Sequence, residues 1–269
     1  MESSIEKIHL DYYDQDLIAK SVIQTLFDIS QQNSFSKLIK TSKILLQKHD
    51  KSVVTKNSIK YFIKNLSNND LLGQTKNKKN KLFSYYNKKH KELSKIVSKK
   101  LVNHLRIFIH SINKEILDII NYIAANTISE INTIQHTPFF LGNKLSQNKS
   151  KIKTNIFFDE DINKSIENST ICLIGADAIT NKGDIICKYG SNDVIIHSKK
   201  LDIPSYIITN SLKQDNENTS LKLLDTKYKY LNMYEKINDK KINGVILEHG
   251  IFKPHEIYNE SLLTNKLLN

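Results

Sequence analysis

Arginine is almost missing from this chain of 269 residues: Arg106 stands alone among 40 basic side chains. Arginine is the side chain that grips phosphate and carboxylate with a two-pronged fork. A protein of this composition that handles a phosphorylated ligand must use lysines and backbone N–H groups instead. Glycine is scarce as well, with seven in the chain, and neither G-x-G-x-x-G nor G-x-x-x-x-G-K-[ST] occurs. A dinucleotide loop or a nucleoside-triphosphate loop is therefore not supported. There are two cysteines, Cys172 and Cys187, both in or beside apolar segments. A disulfide framework is not expected, and a reducing cytoplasmic location fits. The nine histidines are scattered without zinc spacing, so neither a metal nor a cofactor is expected. No run of about 18 uncharged apolar residues exists, which predicts no membrane span. The opening stretch, MESSIEKIHLDYYDQD, is acidic and polar and lacks the basic and apolar regions of a secretory signal.

What is present is a hydrophobic content of 39%, enough for one large domain or two small ones. The net charge of +12 is concentrated at one end. Residues 1–100 carry 20 Lys against 9 acids, whereas residues 151–269 balance at 16 against 16. Much of the excess sits in Lys76–Lys100, with ten Lys and one Glu. That segment reads either as an electrostatic surface for nucleic acid or an acidic partner, or as a solvated helix face with a polar loop. Phe83, Tyr85 and Tyr86 interleave with its lysines and fit either reading.

Hydrophobic spacing predicts helices through the first hundred residues. Ile18, Val22, Leu26 and Ile29 recur at three-to-four spacing after Asp16, a candidate N-cap. Further stripes are Leu38, Ser42, Leu45 and Leu46; then Ile59, Phe62, Ile63 and Leu66; then Leu93, Ile96, Val97 and Leu101. Ser67–Asn80 reads as a polar loop. From Leu105 the pattern changes to short apolar runs separated by helical stripes. LRIFIH, SEINTIQ, KTNIFFD, TICLIG and PSYIIT read as five strands, with helices over Ile116–Ile123, Asp161–Glu167 and Asn192–Leu201, and a turn with a short helix over Gly142–Lys149. Strands alternating with helices at this spacing mean a parallel sheet with crossover helices. The expected fold is α/β: an N-terminal helical domain, 1–103, followed by a Rossmann-like parallel-sheet domain, 104–269.

Ligands of such sheets bind beyond the carboxyl ends of the strands. The residues placed there are His110 and Ser111, Thr137, Gly175–Ala176–Asp177, and Thr209 with Asn210. Asp177 on a glycine-containing turn is positioned for acid–base chemistry; it equally suits a helix cap or a turn.

LIGADAITNKGDIICKYGS, from Leu173 to Ser191, resembles the signature of the translation initiation factor 2B alpha/beta/delta family. The match holds at Gly175, Ala176, Asp177, Gly183, Lys188, Gly190 and Ser191. RIFIHS, KKLDIPSYIIT and INGVILEHGIFKPHEI resemble three further family segments in the same order, so the likeness covers about residues 104–258. The family contains aldose–ketose isomerases of methylthioribose-1-phosphate and ribose-1,5-bisphosphate, and regulatory subunits that bind initiation factor 2 and one another. The resemblance places catalytic positions at Asp177 and Ser111. It places ligand-binding positions at His110, Thr137, Gly142, Gly175, Ala176, Lys188, Gly190 and Ser191. Several departures point away from isomerase activity. Ser111 stands where the enzymes carry a catalytic cysteine, and a hydroxyl needs a strong base beside it. The phosphate loop after the second strand reads HTPFFLGNKL, without arginine and with Phe139 and Phe140. Cys187, beside Lys188, is a second place for a thiol, or a buried filler. The resemblance thus implies a binding relative: an oligomer with itself or a paralogue, a contact to an initiation factor 2 subunit, and a residual pocket for a phosphorylated small molecule. The alternative is a divergent isomerase acting on a ribose phosphate. The apolar closing segment Ile242–Ile257 is expected either to form an interface or to complete the monomer's own sheet.

Overall fold

The computed structural model describes residues 14–32, 34–102, 106–123, 128–137, 140–147, 151–224, 233–237, 242–253 and 256–257. Leu105, Phe139 and Lys149, like the opening segment, lie outside them. The chain forms two compact units that meet in sequence between Lys88 and Lys89.

The first unit is helical, with α1 (Gln15–Ser30), α2 (Phe35–Lys48), α3 (Val53–Ile63) and the first half of α4 (Leu71–Lys100). Helix α1 buries Ala19, Val22, Ile23, Leu26 and Phe27, the three-to-four spacing of one apolar face. Its N-cap is Asp14 rather than Asp16: the Asp14 carboxylate accepts from Leu17 N at 2.9 Å, and Asp16 sits buried in the first turn. The larger departure is α4, which begins at Leu71 and runs 30 residues through most of the stretch that reads as a loop. Leu71, Thr75, Leu82 and Tyr86 form its buried stripe, and lysine propagates a helix well, so polarity there marks a solvated face and not a loop. Tyr86 is core: its hydroxyl shares a hydrogen bond with Ser58 Oγ at 2.5 Å. Lys78 Nζ donates to the Tyr61 and Lys64 carbonyls at 3.1 and 2.6 Å and so caps the end of α3. Lys79 Nζ lies 3.9 Å from the Phe27 ring centroid.

The second unit is a sheet domain. Its strands are β1 (Arg106–His110), β2 (Glu130–Ile134), β3 (Lys153–Phe157), β4 (Ile171–Thr180), β5 (Ile185–Lys188), β6 (Ser205–Ile208), β7 (Gln214–Asp215), β8 (Tyr234–Ile237), β9 (Gly244–Leu247) and β10 (Gly250–Phe252). Its helices include α5 (Lys114–Tyr122), α6 (Gly142–Ser146), α7 (Ile162–Glu167) and α8 (Ser191–Lys200). The main sheet runs β10-β9-β6-β4-β1-β2-β3, parallel throughout except at β10. Phe108, Cys172, Ile174, Ile207 and Val245 from its central strands are fully buried in one core with Val194 and Ile195 of α8. Each such aliphatic side chain contributes about 1.5–3 kcal/mol of burial. The closing segment completes this monomer's own sheet, with Val245, Ile246 and Leu247 buried in β9.

The sequence places the end of the fourth strand at Gly175, yet β4 runs ten residues to Thr180. Cys172–Gly175 pair in parallel with β6, and beyond Gly175 the strand pairs antiparallel with β5 and briefly in parallel with β7. The register slips between Ala176 and Ala178, so Asp177 is the extra residue of a bulge rather than part of a turn. The strand continues because Ala176, Ala178 and Ile179 find buried apolar partners in β5. A Cβ on Gly175 would stand 2.1 Å from the Ser111 carbonyl oxygen, a backbone atom. We predict that Gly175→Ala lowers stability by about 2–3 kcal/mol, read as a reduced urea midpoint; wild-type stability would show that the two strands do not approach there.

Candidate functional site

Chain direction alone gathers the predicted residues. The carboxyl ends of β1 and β6 flank Ile174 and Gly175 in the middle of β4, and β5 returns alongside the bulge. Ser111 follows β1 with φ 51, a left-handed conformation that glycine adopts more cheaply. Its Oγ accepts from Lys188 N at 2.9 Å, which ties the end of β1 to the end of β5. Asn113 caps α5 by accepting from Ile116 N at 3.0 Å and donates to the Ala176 carbonyl at 3.2 Å.

At the centre lies a buried group of charges. Lys188 Nζ meets Asp177 Oδ2 at 3.0 Å. Lys213 Nζ meets Glu115 Oε2 at 2.9 Å, donates to the Ala176 carbonyl at 2.9 Å, and stands 4.0 Å from Asp177 Oδ1. Asn210 Nδ2 donates to Glu115 Oε1 at 2.5 Å, and Lys89 Nζ is 3.7 Å from the same oxygen. Asp177 Oδ1, Thr209 Oγ1 and Ser211 Oγ are buried without a hydrogen-bond partner among the described residues. Glu115 and Lys213 escape the sequence reading. Both follow strand ends closely, Glu115 in the first turn of α5 and Lys213 five residues past β6. That placement was the available signal.

His110 is fully buried, with Nδ1 3.0 Å from Ser191 Oγ. The Ser191 hydroxyl donates to the Lys188 carbonyl at 2.7 Å, so it must accept from His110. His110 therefore carries its hydrogen on Nδ1, and its Nε2 lone pair faces Gly190. A Cβ on Gly190 would meet that nitrogen at 3.1 Å, and the φ of +91 also favours glycine. The rings of His110 and His136 stand 4.5 Å apart between centroids. Burial pushes the His110 pKa well below the ordinary value, with His136 and Lys188 adding to it. Burial, then Lys188, lowers His136 to about 3. Both rings are neutral in the folded protein.

The loop after β2 is occupied by the chain itself. The Asp159 carboxylate accepts from His136 N and from Thr137 N, each at 2.8 Å, and from the Thr137 hydroxyl. Gly142 is packed so closely that a Cβ would lie 2.4 Å from the Ile134 carbonyl oxygen. Phe140 is exposed beside it. The Cys187 thiol is fully buried. Burial drives the Cys187 pKa well up, Asp177 reinforces this, and the opposing pull of Lys188 is smaller. Of the two readings of Cys187, the buried filler fits, since a fully buried thiolate loses more hydration than one ammonium returns. Cys172 is pushed up to about 12 by burial and is packing.

The sequence pattern of the initiation factor 2 subunit family matches residues 16–249. The chain belongs to this family. Solved structures agree in fold. Translation initiation factor eIF-2B of Pyrococcus horikoshii OT3 superposes with a TM-score of 0.76 at 16% identity, over 92% of this chain and 94% of that one. The tetrameric eIF2B-beta2-delta2 complex from C. thermophilum gives 0.71 at 12% identity, over 97% and 95%. The eIF2B beta of Chaetomium thermophilum gives 0.67 at 12%, over 91% and 86%. No curated protein sequence matches the chain significantly. At these identities the likeness establishes the initiation factor 2 subunit fold.

Two outcomes test the site. Lys213→Met leaves a buried carboxylate pair short of a cation and should cost about 3–5 kcal/mol. The double variant Lys213→Met, Glu115→Leu should recover part of that in a urea double-mutant cycle, and additive losses would show that the pair is not coupled. The neutral histidines give a pH dependence of definite sign. Unfolded histidine protonates near pH 6.5, the folded His136 at about 3. Stability is therefore full above about pH 6.5 and falls as pH drops, by up to about 1.4 kcal/mol per unit for each histidine. His136→Asn should lose less stability than wild type between about pH 7 and about pH 4.5; parallel losses would contradict the assignment.

Proposed function

We propose that this chain is a binding, regulatory-subunit-like member of its family, with its sugar-phosphate pocket degenerate. Its partners are a second copy or a paralogue and an initiation factor 2 subunit, in the cytoplasm. Residues 1–103 serve as its helical arm and residues 104–269 as its sheet domain. One observation carries this reading: the groups that could hold or convert a phosphorylated sugar are engaged with each other. Asp159 supplies its own carboxylate to the loop N–H groups that the family resemblance assigns to phosphate. Lys188 is paired with Asp177, and Lys213 with Glu115. The hydroxyl of Ser111 accepts from Lys188 N, and the hydrogen-bearing nitrogen of His110 serves Ser191. A relative assembled as a beta2-delta2 tetramer supports association with a paralogue.

The second reading is a divergent aldose–ketose isomerase with Asp177 as acid and base and lysines holding phosphate. The buried Asp177 Oδ1, which has no hydrogen-bond partner among the described residues, favours it, as do the Thr209 and Ser211 hydroxyls. The two readings separate on turnover. The purified protein should not isomerise ribose-1,5-bisphosphate or methylthioribose-1-phosphate; turnover abolished by Asp177→Asn would overturn the binding reading. Light scattering should give more than the 31.1 kDa of one chain at micromolar concentration. A single-chain mass throughout, with no capture of an initiation factor 2 subunit, would also sink it.

A further inference from the structure

The helical unit bears a surface that this reading does not use. Helix α2, residues Phe35–Lys48, buries Leu38 and Ser42, with Ile39, Leu45 and Leu46 half-buried. At about 100° per residue, its exposed residues Ser36, Lys37, Lys40, Lys43, Ile44, Gln47 and Lys48 fall on one face about 140° wide. No acidic residue occurs in the helix, and Lys51, exposed just past its end, extends the basic face. Lys37 donates to a neutral partner, Gln32 Oε1, at 2.8 Å. Lys40, Lys43, Lys48 and Lys51 make no ion pair or hydrogen bond among the described residues. Asp50, the nearest acid in sequence, is half-buried and already engaged. In α4, by contrast, Lys78, Lys79 and Lys89 are spent on holding the fold and Lys95 pairs with Glu92.

We propose that this face of α2 binds the phosphate backbone of duplex RNA, without reading its sequence. Charge complementarity selects a polyanion. The use of lysine alone selects phosphate over base edges, because the commonest base-reading contact is the arginine fork on guanine. No aromatic ring is exposed in the described part of this unit for bases to stack on, which favours a duplex over a single strand. From Lys37 to Lys48 the helix rises about 16 Å, so its lysines can follow successive phosphates of one strand. The choice of RNA over DNA rests on the translation-factor reading above.

Fluorescence anisotropy of the full chain with a labelled 20-base-pair RNA duplex tests it. Micromolar binding is expected at about 50 mM salt, weakening roughly 100-fold by about 200 mM, as three or four phosphate contacts require. Lys40→Glu, Lys43→Glu, Lys48→Glu together should abolish binding, and the three arginine substitutions should preserve it. These positions are exposed, so an unchanged thermal midpoint verifies that the variants fold. Charge reversal at Lys76, Lys91 and Lys99 of α4 should leave binding intact. Absence of binding by the wild type, or a reversed α2 that binds as well, overturns the proposal. So does loss of binding on reversing α4, equal binding of a DNA duplex of the same sequence, or tighter binding of poly-glutamate. Failure of RNA binding with self-association and initiation factor 2 capture intact defeats this inference alone. Loss of those associations with RNA binding intact defeats the earlier reading alone.

Discussion

The contact between the Ser111 carbonyl and Gly175 governs the sheet domain. A single missing Cβ lets β1 end against the middle of β4. Because of that, β4 can leave the parallel sheet at Gly175 and continue as the first strand of a second, mainly antiparallel set. The bulge follows two residues later and turns Asp177 toward Lys188 and Lys213. Across this junction Asn113 donates to the Ala176 carbonyl, and Lys188 donates to Ser111 through its backbone N and to Asp177 through its side chain.

A cleft that takes a charged ligand must keep some of its polar groups in reserve. At this strand edge Lys188, Lys213, Glu115 and Ser111 are engaged from within, whereas Asp177 Oδ1, Thr209 Oγ1 and Ser211 Oγ have no hydrogen-bond partner among the described residues. Buried lysines and carboxylates are tolerated at such depth when they are paired and hydrogen-bonded, and Lys213 meets both conditions. The two neutral histidines add no positive charge to attract an anion. Burial disfavours a thiolate at Cys187 and a cationic imidazole at His110 and His136.

Where hydrophobic spacing was strong, structure was legible in sequence. Val22 and Leu26 of α1, Ile59 and Phe62 of α3, and five of the six parallel strands of the main sheet lie where apolar periodicity puts them. The signature from Gly175 to Ser191 identified the family and brought His110, Ser111, Asp177, Lys188 and Ser191 together, since β1 and β5 both end against the middle of β4. Legibility failed where one local pattern has two physical meanings. A lysine- and asparagine-rich stretch can be a loop or a solvated helix face, and in Leu71–Lys100 widely spaced Leu71, Thr75, Leu82 and Tyr86 decide for the helix. A glycine can end a strand or let it pass a neighbour, and Gly175 does the second. Glu115 and Lys213 pair across 98 residues, which no local spacing reveals.

The double membership of β4 sets an order of assembly. Its second half pairs with β5 across a tight turn in which Gly183 N donates to the Thr180 carbonyl and Thr180 N to that of Asp184. This hairpin closes a loop of a few residues. The first half must wait for β1, which precedes it by more than 60 residues, and for β6, which follows at about 30. Local pairings form faster than distant ones because less chain entropy is lost before contacts are gained. The bulge at Asp177 therefore arises early, on a free ribbon, and the parallel sheet condenses afterwards onto an edge whose irregularity is already fixed.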